Sequence, residues 1–334
     1  MLIDTVGLTS LALDPTERTL AMATAAPVQP AAPQRGLKAL LARHPLVSFF
    51  VMAFAFSWIV WSPWILSEDG LGLLPYKLGD AASGLLNAAA ILLGPTVSAF
   101  IMTATTEGRA GIRRLLRRIV LWRVGLRWYL FAFIGVPVIM VLGFMVILRA
   151  GLASFQYQGA GYMLSYLITF IFVLFSAALF EEIAWRGFAL PRLQPLRGPL
   201  VGSLILGLLW GVWHLPMFMV PSFADASGGS SPLAIVKFCL FAIATAIIFT
   251  WVFNNTKGSV LLAILLHTCI DSPFLPFNLS AGASVSPSAA MNSMLLGFGV
   301  VAVLIVVLTR GRLGYQHYRP EEPDSAAAMA AAPT

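Results

Sequence analysis

Residues 46–66, LVSFFVMAFAFSWIVWSPWIL, carry no charged side chain and run for the roughly 20 residues an α-helix needs to cross about 30 Å of hydrocarbon. Similar apolar stretches recur at 85–104, 129–148, 162–190, 199–220, 232–253, 258–274 and 289–309. The expected fold class is therefore all-α, a polytopic transmembrane helix bundle of about eight spans. Helices are required because hydrocarbon offers no water to an open backbone. The seventh stretch is short and ends in Ser272-Pro273, and the fourth is long, with charged residues in its second half.

Composition agrees. Of 334 residues, 59% are hydrophobic and only 10% charged, and the mean hydropathy is +0.86, outside the range of soluble domains of this size. The net charge of +7 does not indicate nucleic acid, because the basic residues lie in short connections between apolar runs and not on one folded face. Cys239 and Cys269 both sit inside apolar runs, which excludes a disulfide framework or a CxxC metal site. The opening stretch carries Asp4, Asp14 and Glu17 and has no signal-peptide pattern, so the first span is expected to be retained.

With the N-terminus inside, every Lys and Arg except Lys77, Arg149 and Lys237 falls on the cytosolic side. This positive-inside asymmetry predicts a multi-pass integral membrane protein with both termini cytosolic, and the Ala- and Arg-rich composition points to a bacterial inner membrane. The arginine-rich segment around 109–127 also suits an amphipathic helix on anionic headgroups. Residues 1–40, rich in Ala, Pro and Thr, are expected to be a disordered cytosolic tail. Residues 41–312 form the membrane domain, with its functional core at about 160–275, and 313–334 form a second disordered tail.

Ionisable side chains inside spans are costly, which makes them functional candidates. Only Glu181, Glu182 and Asp271 among the carboxylates, and His214 and His267 among the histidines, fall inside apolar spans. His267 and Asp271 are at i and i+4 on one helix face, as are Glu182 and Arg186, so Arg186 can neutralise one of two adjacent glutamates. Two schemes use this set. In one, a glutamate takes a proton from water that a histidine holds, while the second histidine and Asp271 steady an oxyanion. In the other, a glutamate and both histidines bind a divalent metal such as Zn2+ that activates the water.

At these residues a resemblance becomes specific. FEEIAWRG resembles an EExxxR motif, WGVWH an FxxxH motif, and HTCID an HxxxN/D motif. In this order they are similar to the CAAX protease and bacteriocin-processing (Abi) family of intramembrane endopeptidases. The resemblance implies that Glu181 activates water with Glu182 beside it, that Arg186 closes the first motif, that His214 helps hold the water, and that His267 and Asp271 form the remaining polar wall. A metal, if the family uses one, would be held by Glu181, His214 and His267; otherwise no cofactor is implied. The chain departs from the motifs at Trp210, where Phe is usual, and has Asp271 where eukaryotic members often have Asn.

The expected partners are membrane lipids and a membrane-associated or lipidated, CAAX-like protein or peptide, cleaved near the cytosolic face. A proton-coupled carrier and a non-catalytic scaffold or immunity protein are the competing readings. The absence of an inverted repeat and the three intact motifs argue against them. Gly207 and Gly211 form GxxxG on the fifth span and are expected to let two helices approach closely.

Overall fold

The computed structural model describes residues 36–149, 155–157, 159–272, 277–279 and 285–318. The chain forms two compact units, Met1–Leu40 and Leu41–Thr334. Of the first, the described residues are 36–40, where helix α1 (Leu37–Arg43) begins; the tail expected before residue 36 lies outside the described residues.

The second unit is a helix bundle. Among its described residues, seven helices are long and apolar enough to cross a membrane: α2 (Pro45–Leu66), α3 (Asp80–Ile119), α4 (Leu126–Leu148), α5 (Gly161–Arg197), α6 (Pro199–Met219), α8 (Pro232–Asn255) and α10 (Pro287–Thr309). Between α6 and α8 lies the short α7 (Pro221–Ala226). The remaining expected span is α9 (Val260–Asp271), whose 12 residues reach only about 18 Å. Its burial explains how a short helix persists: nine of its residues, from Val260 to Ile270, are covered by protein. Two three-residue strands, β1 (Phe155–Tyr157) and β2 (Phe277–Leu279), pair antiparallel with Gln156 opposite Asn278.

Local sequence sets the helix starts. Proline occupies the first turn of α2, α6, α8 and α10, where its missing N–H costs nothing. Ser231, Ser259 and Ser286 cap α8, α9 and α10 by accepting the backbone N–H of Ala234, Leu262 and Ala289. Two limits move from the sequence expectation. Helix α5 continues past Leu190 to Arg197, and α3 continues past 104 to Ile119, breaking its helical backbone at Gly108 (φ 61°).

Packing is tight where the bundle needs it. A Cβ on Gly207 would lie 2.6 Å from Ile243 Cα, and one on Gly211 3.0 Å from Cys239 Sγ, so the GxxxG face of α6 lies directly on α8, as expected. One buried cluster gathers Phe49, Trp61, Trp185, Phe188 and Trp213; a second gathers Ile248, Phe249, Leu266 and Phe298.

The arginine-rich connections meet at one end of the bundle. There Ser259 Oγ donates to Leu121 O at 2.7 Å, and Asn254 Nδ2 donates to Gln194 Oε1 and Leu313 O at 2.8 and 3.0 Å. Arg118 donates to Tyr318 at 2.9 Å, and Glu107 pairs with Arg114 and Arg192. Leu313 and Tyr318 are buried here, which corrects the expected domain limit: residues 313–318 are packed parts of the membrane domain, not tail. The reason is a short turn, Tyr315–His317, that folds the chain back onto α8. The tail expected beyond residue 318 lies outside the described residues.

Candidate active site

The first glutamate pair sits on a piece of α5 only six residues long, Leu179–Ala184, set between π-helical turns at Leu174–Ala178 and Trp185–Ala189. Such turns rotate successive side chains relative to a regular helix, and they recur at functional sites. Glu181 and Glu182 are both buried, and they face different partners.

Glu181 Oε2 accepts two indole N–H donors, from Trp210 at 2.7 Å and from Trp185 at 3.1 Å. With Oε2 so held, Oε1 is the oxygen left for anything that enters the cavity Glu181 lines. Glu182 Oε1 instead accepts from Arg186 Nη1 at 2.7 Å and lies 2.9 Å from His267 Nδ1. His267 Nε2 lies 3.1 Å from Asp271 Oδ2. The i, i+4 pairs read from the sequence are thus both formed, and Glu182 joins them into one chain of contacts, Arg186–Glu182–His267–Asp271.

Arg186 is fully buried, with its guanidinium carbon 4.8 Å from the Trp210 ring and 4.3 Å from that of Phe249. Two aromatic faces and one carboxylate thus replace the water it has lost. The pairing is incomplete: Arg186 Nε and Nη2 and Glu182 Oε2 have no hydrogen-bond partner among the described residues.

His214 ends the α-helical part of α6, Pro199–Trp213, where the helix tightens into a 3-10 turn at Leu215–Met219. Its Nδ1 donates to the Trp210 carbonyl at 2.9 Å, since a carbonyl can only accept, and this leaves Nε2 as the nitrogen available to a ligand. The ring stacks on Phe223 at 5.8 Å and 14°.

Glu181, His214, His267 and Asp271 line one cavity of about 490 Å³. Glu182 and Arg186, the other two residues singled out by sequence, stand behind its wall. The rest of the lining is largely apolar, including Met140, Phe144, Phe223, Phe238 and Met291. The cavity wall draws on the C-terminal halves of α4, α6 and α9, on α7, and on the N-terminal parts of α8 and α10. All of these lie at the end of the bundle away from the arginine-rich connections.

Trp185 and Trp210 are the candidate site residues that sequence reasoning missed. Trp210 reads from the motif as an aromatic exchange for Phe, whereas its N–H holds Glu181, its carbonyl holds His214, its face covers Arg186, and its ring meets that of His267 edge-on at 5.4 Å. The available signal was spacing: Trp185 follows Glu181 by four residues, and Trp210 precedes His214 by four.

Glu181, His214 and His267 do not make a ligand set as they stand. Both ring nitrogens of His267 face carboxylates, Oε2 of Glu181 is held by indoles, and among the described residues no group of three or more His, Cys, Asp or Glu is arranged to hold a metal ion.

Over residues 163–272, a segment that contains all six candidate residues, the chain matches the family described as type II CAAX prenyl endopeptidase Rce1-like. It is also 26% identical over 184 residues to the CAAX prenyl protease 2 of Methanococcus maripaludis, an alignment covering 54% of this chain and 68% of that protein.

Proposed function

We propose that this chain, which is similar over residues 163–272 to type II CAAX prenyl endopeptidases, is an intramembrane endopeptidase that hydrolyses a peptide bond in a membrane-associated or lipidated substrate. The observation that carries this reading is the shared cavity: a carboxylate oxygen, a free imidazole nitrogen and a His–Asp pair converge in an otherwise apolar chamber.

The chemistry follows from that arrangement. Water is held between Glu181 Oε1 and His214 Nε2. Glu181 takes its proton as the water oxygen attacks the carbonyl carbon, forming a tetrahedral intermediate. The oxyanion is steadied by His267 when its Nε2–H turns from Asp271 to the new oxygen, while Glu182 holds the ring at Nδ1. Collapse breaks the C–N bond, and Glu181 returns the proton to the departing amine. Arg186 touches no reacting atom; it balances Glu182 and so keeps that carboxylate in place to orient His267. No step is routed through a metal, because the donors present do not fit one. The apolar lining suits a lipid or a hydrophobic side chain flanking the scissile bond.

The test is cleavage of a fluorogenic library of prenylated and unmodified peptides by purified protein in detergent. Wild type is expected to cleave, Glu181→Ala to be inactive while folded, and activity to survive a chelator. Absence of cleavage by folded wild type across the library would return the chain to the carrier or scaffold reading. Loss of activity with chelator, restored by added Zn2+, would overturn the metal-free scheme.

A further inference from the structure

A second cavity, of about 400 Å³, lies between the C-terminal ends of α8 and α10, where the arginine-rich connections meet. It is lined by Trp251 and Asn255 from α8, by Leu308 and Thr309 at the end of α10, and by Arg310, Arg312, Gln316 and His317 from the chain that follows. It shares no residue with the candidate active site, and its character is basic where that site is apolar.

The turn that builds it has a demanding backbone. Arg310, Gly311, Leu313 and Gly314 have φ of 51°, 73°, 45° and 72°. Side chains such as those of Arg310 and Leu313 rarely adopt this conformation, which persists only where the surroundings hold it, and residues so held cluster at ligand sites. Here the holding contacts are visible. Leu313 N–H donates to Thr309 Oγ1 at 3.2 Å, and Leu313 O accepts from Asn254 Nδ2 at 3.0 Å. Gly314 lies so close to Asn255 that no Cβ would fit. Asn255 Nδ2 donates to Trp251 O at 2.8 Å, so its Oδ1 accepts from His317 Nδ1, also at 2.8 Å, and this fixes the imidazole as a wall of the cavity.

Arg310 and Arg312 are exposed and have no carboxylate partner among the described residues. The partial negative charge at the ends of α8 and α10 attracts a cation to each, but it does not explain why two guanidiniums, an imidazole and two amides surround one concavity. An anion explains it. The class of anion follows from the adjoining surface of α10. Leu308, Leu304 and Val300 follow one another at four-residue spacing on one helix face and are 81%, 52% and 51% exposed. In a membrane-spanning helix such a face meets acyl chains. We propose that the cavity binds the phosphodiester headgroup of an anionic phospholipid, held by Arg310 and Arg312, with the acyl chains lying along Leu308, Leu304 and Val300. Free phosphate carries the same charge but leaves the apolar face of α10 unused.

The test is isothermal titration calorimetry of the purified full chain in an uncharged detergent with dioctanoyl phosphatidylglycerol. Saturable binding is expected, about tenfold or more tighter than that of dioctanoyl phosphatidylcholine. Equal affinity for the two lipids overturns the proposal. Inorganic phosphate in large excess is expected not to displace the lipid; displacement would make this a free-anion site and overturn the lipid assignment. Arg310→Asn, chosen because asparagine tolerates the left-handed backbone, combined with Arg312→Gln should weaken phosphatidylglycerol binding about tenfold or more with an unchanged circular dichroism spectrum. Arg312→Gln alone, expected to weaken it severalfold, serves if the double variant does not fold. Arg113→Gln with Arg117→Gln removes the same charge from exposed positions of α3 outside the cavity and should leave binding unchanged. An equal loss in both double variants would reduce the effect to net charge and overturn the proposal. Glu321, Glu322 and Asp324 follow the turn in sequence, so Glu321→Gln, Glu322→Gln and Asp324→Asn are combined in a last variant. Its binding is expected to equal wild type, whereas lipid binding seen only in this variant would show that the chain's own acidic segment is the occupant and overturn the proposal.

Discussion

Glu181 and Trp210 form the contact on which the chemistry most depends, and substitution separates their roles. Glu181→Gln keeps an acceptor for the two indoles but cannot take a proton, so kcat is expected to fall about 10²–10⁴-fold with an unchanged melting temperature. Trp210→Phe keeps a ring against Arg186 and restores the residue usual in the family motif, yet removes the N–H donor at 2.7 Å. A hydrogen bond to a charged group contributes about 1.5–3 kcal/mol, so kcat should drop at least about tenfold while the fold persists, as circular dichroism and steady-state kinetics would show. If Trp210→Phe is as active as wild type, the indole does not position Glu181. Arg186 is different in kind. Arg186→Met leaves Glu182 buried without its guanidinium partner and with His267 alone beside it, and removing one partner of a buried ion pair costs about 3–5 kcal/mol, so thermal stability in detergent should fall. Adding Glu182→Gln should recover much of that stability without recovering activity, because Glu182 also orients His267.

Among the elements, the approach of α6 to α8 and the short α9 carry the architecture. Gly207→Ala would press a methyl group to within 2.6 Å of Ile243 Cα, and overpacking of this kind costs about 1–3 kcal/mol. Gly299→Ala on α10 meets nothing within 4 Å and should be neutral or slightly stabilising, which makes the pair an internal control in a thermal-shift assay. Helix α9 shows why its own span was the hardest to place. Hydropathy measures the cost of leaving a segment in lipid or in water, but α9 is surrounded by protein, so neither its length nor its ends had to match the bilayer. The π-helical turns flanking Glu181 and Glu182 were equally illegible, since no local pattern marks them; at Gly187, within the second, the missing side chain lets Leu115 of α3 approach, a Cβ there lying 2.5 Å from Leu115 Cδ1.

For the molecule as a whole, the packed segment 313–318 makes a prediction about the domain limit. Ending the chain after Arg312 removes buried Leu313 and Tyr318 and the contacts of Asn254 and Arg118 with them, so thermal stability should fall in a thermal-shift assay. Chain chemistry by itself determined that this is a helical membrane protein, because the cost of exposing backbone and charge to hydrocarbon acts on each segment independently and so shows in the local pattern. The same cost singled out Glu181, Glu182, His214, His267 and Asp271, and the i, i+4 rule paired Arg186 with Glu182 and His267 with Asp271 before any folding was considered. Only the tertiary structure decided that Glu182 links those two pairs, that two indoles hold Glu181, and that the cavity lies at the end away from the basic connections. These depend on contacts between residues as far apart as 85 positions in the chain, and no local pattern records which faces of two helices will meet.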